Sequence, residues 1–287
     1  MTDLSAAAVV AHDAGAANLI FAWFAPDAPP SRSYLEGPAR AAWRARFGDA
    51  PTGPTLGAAL DGASFVLTGS GWSSDLEHRA RKMAAAAGLP TVGVIDHWVN
   101  YPQRFVRCGE QVLPDSIWVV DEYAEALARK TFPGVRVEAK ANEYLREQAA
   151  MAGPTPEDGR VLWMSEPARD DWGRGKPGEF HALDYFVQHR ASLGVPPATP
   201  VLLRPHPSEE HGKYDSWLMA HPGWSVDSGS DLGEALACAR WVVGLESAAL
   251  VVALASGRTV ISALPDWAPR CRLPHADIVH LRDLVVT

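Results

Sequence analysis

Short apolar runs that stop at a polar, small-residue loop and give way to a helix-forming segment recur along the whole chain. That rhythm constrains the fold more than any other feature. Ala6–Ala11, Ser64–Leu67, Thr91–Ile95 and Ser116–Val120 carry it in the first half; Val161–Met164, Val201–Leu203, Trp241–Gly244 and Thr259–Ala263 carry it in the second. A run without alternation marks a strand covered on both faces, and a helix between consecutive strands makes them parallel. The expected class is therefore α/β. The polar Pro/Gly break Gly153-Pro-Thr-Pro-Glu-Asp-Gly159 divides the rhythm. It predicts two Rossmann-like domains, an N-terminal substrate domain over 1–152 and a C-terminal nucleotide-binding domain over 160–287.

The remaining composition excludes more than it selects. At 287 residues the chain has room for two domains of ordinary size. Its net charge of -8, without a basic run, argues against nucleic acid or an anionic membrane as partner. No apolar stretch reaches the ~18 residues of a membrane span, so no integral membrane segment is expected. Met1-Thr-Asp-Leu-Ser5 lacks the basic start of a secretory signal, and Cys108, Cys238 and Cys271 read as free thiols, which points to the cytoplasm. The loop after the first strand lacks the glycines of the G-x-G-x-x-G fingerprint, so NAD is not expected. P-loop and G-x-S-x-G motifs are missing as well. There is no D-x-D pair, and His12, His97 and His206 are not spaced as ligands on one helix; no metal is expected.

In open α/β sheets ligands bind outside the carboxyl ends of strands, so the strand exits carry the candidate sites. The first exit is His12-Asp13-Ala14-Gly15, with Asn18 one turn on. Its small residues let a ligand approach a helix N-terminus. Asp13 reads either as a reacting carboxylate or as the cap of that helix. The next exit, Thr68-Gly-Ser-Gly71-Trp72-Ser73-Ser74-Asp75, makes a tight turn; Ser73, Ser74 or Asp75 caps the helix that follows. The third is Asp96-His97-Trp98-Val99-Asn100-Tyr101, with Arg104 just after. Asp96 beside His97 could orient an acid/base histidine, or the two could belong to a buried Asp–His–Trp network that shapes the loop. Trp72, Trp98 and Tyr101 offer rings on which a sugar or base could stack.

Three exits of the second half are polar as well: Ser165-Glu166, Arg204-Pro-His206-Pro207 and Glu246-Ser247-Ala248. Parallel topology would place all three at one edge of one sheet. The prolines stiffen the segment that holds Arg204 and His206. Ser247 at a helix start offers a hydroxyl and backbone amides to a phosphate, and His206 could donate to the same group. Glu166 or Glu246 could accept from a ribose or a base edge. A cap for the helix Asp231–Ala237 is expected from Ser228 or Ser230.

Two Rossmann-like halves resemble the GT-B architecture, in which two parallel-sheet domains face each other across a cleft. His206-Pro207 after a strand, with Ser247 at a helix start after Gly244-Leu245-Glu246, resembles bacterial CMP-sialic-acid-using sialyltransferases and related nucleotide-sugar enzymes. The loops 68–77 and 96–105 are similar to proteins of bacterial surface-polysaccharide gene clusters. The resemblance implies His206 and Ser247 on the nucleotide phosphate and Glu166 on the ribose. It implies a metal-independent inverting glycosyltransferase of surface-polysaccharide or natural-product glycosylation. Its donor is a nucleotide-activated sugar, CMP-linked by preference, and no cofactor is implied besides this co-substrate. A small molecule or glycan is the acceptor, with Asp13, or Asp96 with His97, as base. The family's base often stands in an acidic pair followed by Gly, a motif that His12-Asp13-Ala14-Gly15 does not match. Two other readings stand beside this one: a nucleotide-sugar epimerase or hydrolase in the same cleft, and a non-catalytic GT-B-like nucleotide-binding protein. A homodimer is compatible with each.

Overall fold

Every residue of β1 (Ala7–Ala11) is buried, as its unbroken apolar run requires. Its alternate residues feed two different cores. Ala7, Val9 and Ala11 join Phe21, Trp43 and Phe47, while Ala8 and Val10 join Leu56, Leu76 and Ala80. The helices that supply these residues, α1 (Ala14–Phe21), α2 (Ala39–Phe47), α3 (Leu56–Leu60) and α4 (Leu76–Ala86), thus cover both faces of one sheet. The computed structural model describes residues 3–227, 229 and 231–285. The chain divides into two compact units, Met1–Tyr144 and Leu145–Thr287.

The first unit adds β2 (Arg32–Leu35), β3 (Phe65–Thr68), β4 (Thr91–Val94), β5 (Val106–Arg107), β6 (Glu110–Gln111), β7 (Ser116–Val119), α5 (Glu122–Thr131) and β8 (Arg136–Ala139). Its sheet runs β2-β1-β3-β4-β7-β8 with every neighbouring pair parallel. The β5–β6 hairpin and α3 have no counterpart in the sequence reading. Both are shorter than the periodicity needed to announce them.

The second unit contains α6 (Glu143–Ala152), β9 (Arg160–Met164), α7 (Gly178–His189), β10 (Val201–Arg204), α8 (Asp215–Met219), β11 (Trp224–Val226), α9 (Leu232–Ala237), β12 (Ala239–Gly244), α10 (Ala248–Ala255), β13 (Thr259–Ser262) and β14 (Val279–His280). Its sheet, β11-β10-β9-β12-β13-β14, is parallel throughout. Most of α6 lies here, although the sequence groups it with residues 1–152. Gln148 Oε1 accepts from the Gly233 amide at 2.6 Å, and Arg258 donates to the carbonyls of Ala152 and Gly153 at 2.8 and 2.6 Å. Ser228 and Ser230 lie outside the described residues. Asp231 starts α9, accepting from Gly233 N while Glu234 reaches back to complete a capping box. Among the described residues no helix is long and apolar enough to cross a membrane.

The strand orders fix where ligands can sit. In the first sheet β1 lies between β2 and β3, so the connections leave it in opposite directions and open a crevice outside the β1/β3 carboxyl ends. In the second sheet β10 and β12 flank β9, which puts the switch at β9/β12.

Candidate functional site

At the first switch point the exits of β1 and β3 bring Asp13, His12 and Ser73 together. His12 Nδ1 lies 2.9 Å from Asp13 Oδ1, and the Ser73 hydroxyl donates to the same oxygen at 2.6 Å. Asp13 occupies the N-cap position of α1, yet its side chain makes no cap bond. The capping alternative therefore falls, because the carboxylate turns to its own histidine and to the next loop. Its other oxygen lies against Gly71, where a Cβ would stand 1.4 Å from Oδ2. Only glycine admits the carboxylate there. Gly37, with φ +51, likewise makes room for the His12 ring. Ser74 accepts from Leu76 N at 3.1 Å, while the N-cap residue Asp75 makes no cap bond and pairs with Arg79. Of the three proposed caps, Ser74 serves the helix.

Asp96, at the exit of β4, belongs to the same edge. Its Oδ2 lies over the first turn of α1, 2.0 Å from where a Cβ on Gly15 would be. Its Oδ1 accepts from Arg104 Nη1 at 3.1 Å. Arg104 is buried and also donates to Ser70 Oγ and Val99 O, with the Trp72 ring 5.7 Å from its guanidinium. His97 Nδ1 accepts from the Trp98 amide, which leaves the ring proton on Nε2. Asp13–His12 is a carboxylate–imidazole pair at this edge. Asn18 is half-buried one turn along α1, and Asn100 turns the chain with φ 60.

The three rings differ in exposure. Trp98 and Tyr101 are 5% and 3% exposed. Trp98 Nε1 donates to both oxygens of Asp121, and Tyr101 donates to Ala124 O. These two rings are tied to the start of α5, and Trp72 is half-buried.

Beneath the edge lie residues that sequence reasoning missed. Glu77, 1% exposed, accepts from the His12 amide at 2.8 Å. Burial pushes its carboxyl up to about 7, against the bond from His12 and with the Asp13 charge adding to the rise. Arg81, equally buried, donates to Thr68 Oγ1, Gly69 O and Val112 O, and burial pulls its guanidinium down to about 10. Arg107 binds the carbonyls of Gly71 and Ser74. Charged residues at helical spacing after a capped start were the available signal, but they look the same on a solvated helix face.

The second switch point gathers Glu166 and Glu246. The Glu246 amide donates to Glu166 Oε1. Both oxygens of Glu246 are held by Arg272, through its amide and guanidinium. Glu246 is thus tied to Arg272 through its side chain and to Glu166 through its amide. Burial, reinforced by the charges of Glu246 and Glu209, raises the Glu166 carboxyl to about 7. Ser247 caps α10, accepting from Ala249 N at 3.3 Å, so its hydroxyl proton remains to donate outward; Ala248 is the first residue of the helix. Beyond β10 the His206 amide donates to Glu209 Oε2 at 2.9 Å, and His206 Nδ1 lies 2.7 Å from Ser208 Oγ. Arg204 forms an ion pair with Asp227, and Ser165 is a buried ladder residue whose amide donates to Arg204 O.

No protein-family profile matches the chain, and no curated protein matches it by sequence. Solved structures do. S. aureus MnaA in its co-structure with UDP superposes with a TM-score of 0.60 at 10% identity, over 89% of this chain and 78% of that one. The UDP-GlcNAc 2-epimerase from Neisseria meningitidis bound to UDP-GlcNAc gives 0.58 at 11%, over 91% and 82%. The fold is GT-B-like. A glycosyltransferase of kitacinnamycin follows at 0.47 and 14%, over 93% and 81%. Each GT-B-like unit therefore carries a polar cluster at its own topological switch point.

Proposed function

We propose that the protein is a nucleotide-sugar enzyme, in first place a metal-independent inverting glycosyltransferase. One observation carries the reading: in each sheet the polar strand exits fall at the switch point. His206, Ser247 and the α10 dipole hold the nucleotide phosphate, and Glu166 accepts from the ribose. Asp13 Oδ2 removes the proton of the acceptor hydroxyl, with His12 and Ser73 fixing the other oxygen. As the bond to the sugar breaks, charge grows on the leaving phosphate, and donors aimed at it lower the barrier. A CMP-linked donor is favoured by the resemblance of the His206-Pro207 and Ser247 pattern to CMP-sialic-acid-using enzymes.

A second reading has comparable support: a nucleotide-sugar 2-epimerase-like enzyme. It is favoured by the fold likeness to UDP-binding proteins and by two carboxylates, Asp13 and Asp96, at one strand edge. Calorimetry with CMP, CDP, UDP, UMP, GDP and dTDP tests both. Tight binding of CMP and acceptor-dependent release of CMP from its sugar support the transferase. UDP binding, with conversion of a UDP-sugar in the absence of any acceptor, supports the epimerase. No binding by any of the six refutes the nucleotide assignment to the second unit.

A further inference from the structure

We propose that Lys213 is the positioning residue of the second unit's ligand edge, setting the exits of β9 and β10 through two buried carboxylates. The inference rests on the nucleotide reading of that edge and adds the group that shapes it. Lys213 Nζ lies 2.7 Å from Glu209 Oε1 and is bonded to Glu179 Oε1 as well. The two glutamate side chains are 1% and 4% exposed. Each passes the connection on. Glu209 Oε2 accepts from the His206 amide at 2.9 Å, and Glu179 Oε2 accepts from the Ala168 amide at 3.1 Å, two residues beyond Glu166. The Tyr214 hydroxyl donates to Glu209 Oε1 at 2.7 Å.

One ammonium thus joins the two exit loops, beyond the Ser165 amide that donates to Arg204 O at the strand ends. Without it two carboxylates of like charge face each other in a poorly solvated place, and such a pair separates or takes up a proton. Separation would move His206 away from Glu166, and a nucleotide held by both would lose one of them. Lys213 itself touches neither exit, so its part is positional.

The test combines amide exchange resolved to single residues with calorimetry against UDP and CMP. It uses the full chain and the variants Lys213→Met, Lys213→Arg and the double Lys213→Met/Glu179→Gln. In Lys213→Met, exchange at the His206 and Ala168 amides rises by roughly tenfold or more and nucleotide affinity falls by a similar factor, with circular dichroism unchanged. Lys213→Arg restores both. The double variant returns the network to its original net charge, so it folds even if the single one does not. Its two amides still exchange faster, because the tie is missing. Unchanged exchange at both amides in either Lys213→Met background overturns the proposal. If the wild type binds no nucleotide, the functional reading fails, while the exchange data still decide whether Lys213 positions the loops.

Discussion

Asp13 shows how a single side chain acquires a role from its surroundings. Two donors converge on Oδ1, from His12 and Ser73, and the absence of a side chain at position 71 leaves room for Oδ2. Replacing it with Asn keeps the shape and removes the proposed base. Turnover in Asp13→Asn falls by roughly a hundredfold or more, as a lost general base does, with nucleotide affinity unchanged. Rate measurements paired with calorimetry check both halves of this expectation. Glu77 makes a different prediction. Its folded carboxyl titrates at about 7 against an ordinary 4.5. Between those values the native state holds a proton that the unfolded chain releases, so stability falls as pH rises through that window. The cost is complete above about 7. Glu77→Gln keeps an acceptor for the His12 amide and removes the titration. Urea denaturation at pH 4.5 and pH 8 will show the variant gaining on the wild type by up to about 3 kcal/mol at the higher pH. Asp13 was legible in the sequence because it follows a strand directly. Glu77, Lys213 and Arg272 were not, since their partners lie far along the chain or their burial depends on tertiary packing.

At the scale of elements, α10 is the clearest case. It is an almost wholly apolar helix with one polar contribution, the Ser247 cap at its start. Ser247→Ala removes that cap and one outward donor together. Stability falls by about 1 kcal/mol in chemical denaturation, and phosphate-bearing nucleotides bind more weakly, while unphosphorylated nucleosides are unaffected. An equal loss for nucleoside and nucleotide would remove the hydroxyl from the phosphate site. Strands such as β1, β3, β4, β9, β10 and β12 could be read from the sequence, because a strand buried on both faces leaves an unbroken apolar run. Caps were read less well. Serine, threonine and aspartate at a loop end are interchangeable on paper, and only the fold decides that Ser74 serves α4 while Ser73 turns to Asp13.

For the whole molecule, the alternating pattern was enough to specify a parallel sheet in each half, and the strand orders then turned scattered polar exits into two clusters. On the proposed function, a bound nucleotide acts on the cluster of the second unit. At ~100 times its dissociation constant it adds about 2.7 kcal/mol to the state that binds it. Amide exchange with and without ligand is expected to slow at the exits of β9, β10 and β12, and not at those of β1, β3 and β4. Slowing confined to the first unit would reverse the assignment of roles. The linker expected at 153–159 is held by Arg258, whose guanidinium collects the carbonyls at the end of α6. That contact bears on synthesis. The first unit is one contiguous stretch, complete when α6 begins to emerge from the ribosome. The helix meets Gly233 only 85 residues after Gln148, and Arg258 only 106 residues after Ala152. A nascent chain therefore finishes one sheet while its next helix waits without partners, so the order of translation keeps two similar sets of parallel strands from pairing with each other.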